Sequence, residues 1–484
     1  MREALLVDFY ELTMSNGYFE AGKKDEIAVF DLFFRSIPDG GGYVICAGLE
    51  QVIHYLQNIR FEDYQIDYLR NRHLFSEAFL EYLKTFRFTG HLDAVREGTI
   101  VFPNEPLLTI TTNLVEAQLI ETALLLYINH QSLIATKAQR MVRAAEGRSV
   151  FASGNRRAHG SDAAVLGARA AYIGGVHGTS CALADVEHGV PAMGTMAHSW
   201  VQLFDSELEA FQTYARNYPH STTLLVDTYN VLQSGVPHAI EAIRTVLWPQ
   251  GIKKAKIRID SGDLAYLSIE ARKLLDQANM QDVGILVSNS LDERMMADLL
   301  RQGAKIDGFG IGERLITAKS DPVFGGVYKL VAVEKEGDII PKIKISENPD
   351  KIPTPSKKKL YRIYEKDSHK AIADYLMNHD EVLDSTQPLL LFDPVHTWKQ
   401  KTVTNYIAKD IRVPIFRHGE LVYTLPTLKE IRAHRQEELD SMWNEVLRIE
   451  NPHKYYVDLS QTLWQLKDHM IQSHCHQGVN CHGN

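Results

Sequence analysis

The spacing of apolar positions changes character near residue 116. Before it, helix and strand patterns mix. Asp8–Met14 opens a short helix, Ala28–Arg35 alternates partly as a strand, and the turn Asp39-Gly40-Gly41-Gly42-Tyr43 leads into the apolar run Val44–Leu49. Strand signals around Val95–Gly98 and Phe102–Pro106 predict a small β module. From Leu114 to Ala145 the period is helical, with Ala117, Ile120, Leu124 and Ile128 on one face. Short apolar runs then alternate with helical segments: Val150–Ala152, Ala192-Met193, Thr223–Val226, Ala255–Ile259, Gly284–Val287 and Ile306–Gly310. Their spacing, mostly about 25–35 residues, is that of βα units on parallel strands. No Gly-x-Gly-x-x-Gly opens the first unit, which disfavours a dinucleotide fold, and the strand count is nearer a barrel.

The expected fold class is therefore α/β. An irregular α/β (TIM-like) barrel spans 116–345, between an N-terminal α+β module over 1–115 and an appended C-terminal α+β domain over 346–484 that packs on that module. In the last segment, Lys351–Lys359 is expected as a loop with solvated lysines. Strands are expected at Leu389–Phe392 and Val422-Tyr423. A helix is expected from Thr427 to Leu447, with Leu428, Ile431, Leu439, Trp443 and Val446 on its apolar side.

Length and composition narrow the class. At 484 residues the chain is too long for one simple core, and 45% hydrophobic with 23% charged residues is ordinary for a globular protein. A formal charge of −9 with no strongly basic segment argues against a nucleic-acid partner. Cys46, Cys181, Cys475 and Cys481 are too scattered for a disulfide framework, which fits a reducing compartment. Acidic residues interrupt the apolar run of Met1–Tyr10, and no stretch approaches 18 apolar residues, so no membrane is expected and the location is expected to be cytoplasmic. The tail from His474 to His482 carries two cysteines and three histidines, but in no standard zinc spacing, and a frayed end is expected there.

Candidate chemistry concentrates where strands end. Asp227-Thr228 follows one predicted strand, Asp260-Ser261-Gly262-Asp263 the next, then Ser288-Asn289-Ser290 and Gly310-Ile311-Gly312. Any one such pair fits helix capping, but in succession they suit a ligand site at the C-terminal mouth of parallel strands. His198 lies in the loop Gly194-Thr195-Met196-Ala197-His198-Ser199, among small residues, where an imidazole can serve as acid, base or nucleophile. Arg156 and Arg157 after the first strand suit a carboxylate or phosphate. Arg258 and Asp260 alternate onto one strand face, and an inward arginine there needs an anionic partner. Gly308–Gly312 can present N–H groups to a phosphate, while Asp227, Asp260 and Asp263 suit ribose hydroxyls or a Mg2+-bound pyrophosphate. These residues describe a phosphorylated sugar, a small anion beside it, and a poised histidine.

Together with Asp8-x-Tyr10, Thr13-Met14, Phe34-Arg35, Gly40–Tyr43 and Gly154-x-Arg156-Arg157, these motifs resemble the nicotinate phosphoribosyltransferase family, in the family's order from residue 8 to about 330. The resemblance implies that nicotinate and phosphoribosyl pyrophosphate give nicotinate mononucleotide and pyrophosphate, coupled to ATP through phosphorylation of His198. It implies ATP and Mg2+ as cofactors and a homodimer with shared sites. Arg156 and Arg258 would flank the nicotinate ring, with Arg157 in the same pocket, and Tyr10 would stack on the ring from a second subunit. Asp260 would face the ribose. Gly310 and Gly312 would cradle its phosphate, with Ser288 and Asn289 alongside, and Arg35 and Lys329 would reach phosphates across the dimer. In Gly178-Thr179-Ser180, the serine stands where related nicotinamide enzymes carry an aspartate; a hydroxyl donates to a carboxylate that an aspartate would repel. Ser153-Gly154 departs from the family's usual Phe-Gly. Nicotinamide or quinolinate as substrate, and a non-catalytic nucleotide-binding relative, are the alternatives.

Overall fold

The computed structural model describes residues 2–475, and the chain forms two compact units. One unit comprises residues 1–133 and 323–484, the other 134–322. The sequence segments 1–115 and 346–484 both fall in the first unit, while 116–345 is divided between the two.

The second unit is α/β. Its parallel strands are β1 (Ser149–Ala152), β2 (Gly178–Thr179), β3 (Thr223–Leu225), β4 (Lys256–Ile259), β5 (Gly284–Ser288) and β6 (Gly308–Ile311), in the sheet order β2-β1-β6-β5-β4-β3. Five of the six correspond to predicted runs. The two-residue β2 was not predicted, and the predicted Ala192-Met193 strand is a single parallel bridge from Ala192 to Thr179. The first strand pairs with the last, as in a barrel, but among the described residues nothing pairs β2 with β3. The sheet has a seam there, and Gly194–Ala197 lies between Ala192 and the helix His198–Leu203, which His198 heads. Every strand is parallel, so all six C-terminal ends, with their polar residues, lie on one edge.

The first unit is built on a seven-stranded sheet ordered Asp338–Pro341, Gly326–Lys335, Ile27–Phe34, Leu108–Asn113, His91–Val95, Arg412–Arg417, Glu420–Leu421. The pairing of Arg412–Arg417 with His91–Val95 ties a C-terminal strand to an N-terminal one. Strand Ile27–Phe34 is central and nearly all buried, which explains why its alternation was only partial. A four-stranded sheet (Tyr406–Asp410, Lys358–Glu365, Ala371–Asn378, Val457–Leu459) completes the C-terminal part.

Four expectations need correction. The strand expected at Val422-Tyr423 falls instead on Glu420–Leu421. The helix predicted over Leu114–Ala145 breaks at Ile120 into Leu114–Leu119 and Glu121–Ala144. The helix predicted to reach Leu447 ends at Ser441, leaving Trp443 exposed and Val446 buried beyond it. Lys358 is not solvated: it is buried against Asp31 at 2.7 Å and donates to the carbonyls of Thr354 and Ser356, the partners such a burial requires. Residues 476–484, most of the His/Cys-rich tail, lie outside the described residues. No described helix is long and apolar enough to cross a membrane.

Candidate active site

The strand ends of the second unit carry one hydrogen-bonded cluster. Arg258 lies on β4 and Asp260 directly follows it, close enough for Arg258 Nη2 to donate to Asp260 Oδ1 at 2.9 Å. Arg258 Nε donates to Ser288 Oγ at 2.9 Å, and Ser288 Oγ in turn donates to Asp260 Oδ1. Arg258 Nη1 donates to Thr195 Oγ1 at 3.2 Å. One guanidinium thus ties β4, β5 and the histidine loop together. Burial opposes ionisation of Asp260, but the hydrogen bonds from Ser288 and Arg258 and the charges of Arg258 and His198 outweigh it. Asp260 is held below the ordinary carboxylate range and stays anionic.

His198 heads the helix His198–Leu203 and stays 42% exposed. Its Nδ1 lies 3.1 Å from Thr228 Oγ1 and its Nε2 3.9 Å from Asp227 Oδ1, so the histidine loop meets the end of β3 across the seam. Asp227 is 2% exposed, and its Oδ2 accepts from Asp260 N at 2.9 Å and Ser261 Oγ at 2.7 Å. Its Oδ1 is buried with no hydrogen-bond partner, which leaves an acceptor pointed at whatever occupies His198 Nε2.

The remaining predicted residues of this unit fall into three groups. Gly310 faces β5, where a Cβ would come within 3.2 Å of Ser288 Cβ, while a Cβ on Gly312 would meet only distant atoms, the nearest at 3.9 Å. Asn289 takes a φ of 102°, a strained conformation for a non-glycine residue, directly beyond β5. Arg156 and Arg157 are exposed on the short turn Asn155–Arg157, and Ser180 is exposed beyond β2. Two residues serve the fold locally. Thr179 is buried and its hydroxyl accepts from Cys181 N, while Asp263 caps the helix Leu264–Gln277 by accepting from Tyr266 N.

Tyr10, Arg35 and Lys329 belong to the first unit. Tyr10 is half-exposed, and burial, then the charge of Glu121, push its phenol pKa upward. Lys329 feels the charges of both Glu121 and Arg35, and burial holds its pKa below the usual lysine value. Glu121 therefore links Tyr10 and Lys329, a role hidden in the sequence because the residue sits in a helical pattern. Thr195 and Thr228 were legible only as neighbours of the residues singled out. Nothing in the sequence signalled the role of Ser153, which replaces the family's usual Phe: its hydroxyl donates to Ile311 O at 3.1 Å and fastens the end of β1 to that of β6.

Residues 5–129 match the model of the nicotinate phosphoribosyltransferase N-terminal domain, 151–366 that of the nicotinate phosphoribosyltransferase family, and 357–467 that of the C-terminal domain. A nicotinate phosphoribosyltransferase of Bacillus subtilis is 44% identical over 464 residues, covering 96% of this chain and 94% of that protein. The chain belongs to the nicotinate phosphoribosyltransferase family. The crystal structure of human nicotinic acid phosphoribosyltransferase, 29% identical, superposes with a TM-score of 0.83 over 96% of this chain and all of that one. A nicotinate-nucleotide pyrophosphorylase from Pyrococcus furiosus, 24% identical with a TM-score of 0.69, shares the fold over 90% of this chain and 94% of its own.

Proposed function

We infer that this chain joins nicotinate to phosphoribosyl pyrophosphate, yielding nicotinate mononucleotide and pyrophosphate for NAD salvage. The observation that carries the reading is the Arg258–Asp260–Ser288 lock on one sheet edge, with His198 and Asp227 beside it, in a chain of this family. In the reaction the ribose C1–O bond breaks, its electron pair leaves with pyrophosphate, and the pyridine nitrogen lone pair forms the new C–N bond. Positive charge builds on the ribose ring meanwhile, and the anionic Asp260 is the group suited to meet it. Arg156, Arg157 and Arg258 supply guanidiniums for the nicotinate carboxylate, with Ser180 as a further donor. Ser288, Asn289, Gly310 and Gly312 take the ribose phosphate. Tyr10, Arg35 and Lys329 act from a second subunit of a homodimer.

ATP coupling runs through His198. With Nδ1–H donated to Thr228 Oγ1, Nε2 keeps a lone pair. Attack by Nε2 on the γ-phosphorus forms an N–P bond and breaks the bond to the leaving ADP oxygen; water later hydrolyses the phosphohistidine and releases phosphate. Among the described residues no cluster of three or more His, Cys, Asp or Glu could hold a metal. The residues thus fit Mg2+ only as a companion of pyrophosphate, with the free oxygen of Asp263 within the same strand-end loop; when bound, it neutralises charge on that leaving group. We also read the parallel strands as an irregular barrel with its seam between β2 and β3, and the protein as cytoplasmic.

The test is a product assay with nicotinate, nicotinamide and quinolinate, each with and without ATP. Nicotinate mononucleotide should form from nicotinate, faster with ATP; equal turnover of nicotinamide, or no product at all, overturns the reading. Ser180→Asp should shift preference toward nicotinamide, and an unchanged substrate ratio removes the serine from specificity.

A further inference from the structure

His198 is carried by a helix that cannot hold itself in place. His198–Leu203 has six residues, and its N-cap, Ala197, makes no side-chain hydrogen bond. A helix so short is not stable in water without tertiary support. Gly194, Ala197, Ser199, Gln202 and Leu203 are exposed, and Val201 is the one buried residue of the helix. The hydrogen bond from the half-exposed His198 ring to Thr228 fixes the imidazole but not the backbone beneath it.

Trp200 supplies the missing anchor. Its indole Nε1–H donates to the carbonyl of Ala210 at 3.1 Å. The ring meets Tyr214 edge-on with centroids 5.9 Å apart, and lies 4.9 Å from the ring of Phe204, the residue that ends the helix. Ala210 and Tyr214 belong to a firm base, the helix Glu207–Asn217, which Ser206 caps by accepting from Glu209 N at 3.2 Å. Ala210, Phe211, Tyr214 and Ala215 are buried. Glu207, in the first turn, is buried as well, and His238 Nδ1 lies 2.8 Å from its carboxylate, which ties this helix to the next, Val236–Ala242.

The anchor also sets an orientation. An α-helix turns about 100° per residue, so side chains two positions apart face nearly opposite ways. With Trp200 held against Glu207–Asn217, His198 is turned to the other side, where its Nε2 lies 3.9 Å from Asp227 Oδ1. We propose that Trp200 is the positioning residue for phosphoryl transfer to His198, and that its hold on Ala210 and Tyr214 sets how strongly ATP is coupled to the transferase reaction. The proposal rests on the phosphohistidine reading above. Attack on the γ-phosphorus needs Nε2 close to it and in line with the leaving ADP oxygen, and a displacement of about 1 Å costs about a hundredfold in rate. The Arg258–Asp260–Ser288 lock, which serves the ribose, is joined without Trp200. Loss of the anchor therefore uncouples ATP before it slows transfer.

The test compares the full chain with Trp200→Ala and Trp200→Phe in three measurements: labelling by γ-labelled ATP, nicotinate mononucleotide formed with ATP, and the same product formed without it. Trp200→Ala should label about tenfold more slowly or worse, and should lose far more turnover with ATP than without it. Trp200→Phe keeps a ring for Tyr214 and Phe204 but has no N–H for Ala210. It should fall between the other two, and it decides the matter if Trp200→Ala does not fold. Equal losses with and without ATP would reduce the anchor to a part of the fold, and labelling at the wild-type rate in every folded variant also overturns the proposal. A native chain that takes no label would sink the phosphohistidine reading itself, and this proposal with it.

Discussion

At the scale of single residues, Arg258 is the joint of the site: its three guanidinium nitrogens hold Ser288, Thr195 and Asp260. An arginine that commits three of its five N–H groups to fixed partners is a positioned instrument rather than a solvated charge, with N–H groups left for a carboxylate. His198 is the reverse, an exposed ring held by one hydrogen bond to Thr228, which suits the phosphoryl acceptor we propose it to be. Incubation with γ-labelled ATP should give an acid-labile, base-stable phosphoprotein, and His198→Ala should lose the label together with the ATP stimulation. A labelled His198→Ala protein would place the phosphate elsewhere. The sequence exposed His198, Arg258 and Asp260 because small and polar residues broke apolar runs. It could not show that Thr179 and Asp263 commit their polar groups to the local chain, since a capping aspartate and a ligand aspartate look alike in one dimension.

Among elements, the strand ends matter as a register. Parallel strands deliver six polar termini to one edge, and four of them were legible because those runs of apolar residues stopped on Asp, Ser or Gly. The joints between neighbouring ends were not legible. A Cβ on Gly154 would lie 2.5 Å from Gly312 O, so the loop after β1 packs directly on the loop after β6. Gly154→Ala should force Gly312 outward, lowering stability by about 1–3 kcal/mol and raising KM for phosphoribosyl pyrophosphate more than KM for nicotinate. Thermal melts and two-substrate kinetics check this; equal changes in both KM values would mean that the joint serves only the fold. The two-residue β2 was also hidden, because its partner bonds and not its composition make it a strand. The helix predicted past Ser441 failed for a related reason: Trp443 and Val446 keep helical spacing although the backbone has already turned extended at Met442.

For the whole molecule, the sequence revealed the α/β centre and the flanking α+β segments. The joining of both flanks into one unit depends on pairings about 300 residues apart in sequence, such as Ile27–Phe34 with Gly326–Lys335, and no local pattern encodes them. The predicted residues divide the same way, with Tyr10, Arg35 and Lys329 in one unit and the other residues singled out in the second. If the two sets meet between subunits, mixing inactive Tyr10→Ala and His198→Ala proteins should restore up to about a quarter of wild-type activity, the share of sites with both residues intact after random exchange. No recovery, with subunit exchange verified by mass, would require each chain to complete its own site.

The discontinuous first unit also sets an order of events at the ribosome. Strand Ile27–Phe34 emerges early and can pair at once with Leu108–Asn113, yet its other edge waits for Gly326–Lys335. At about 5–20 residues per second that edge stays open for roughly 15–60 seconds. The intervening unit, 134–322, is synthesised whole in that interval, before the strand that closes the edge exists. A nascent chain with one edge of an apolar central strand unpaired for so long is a natural client for a chaperone.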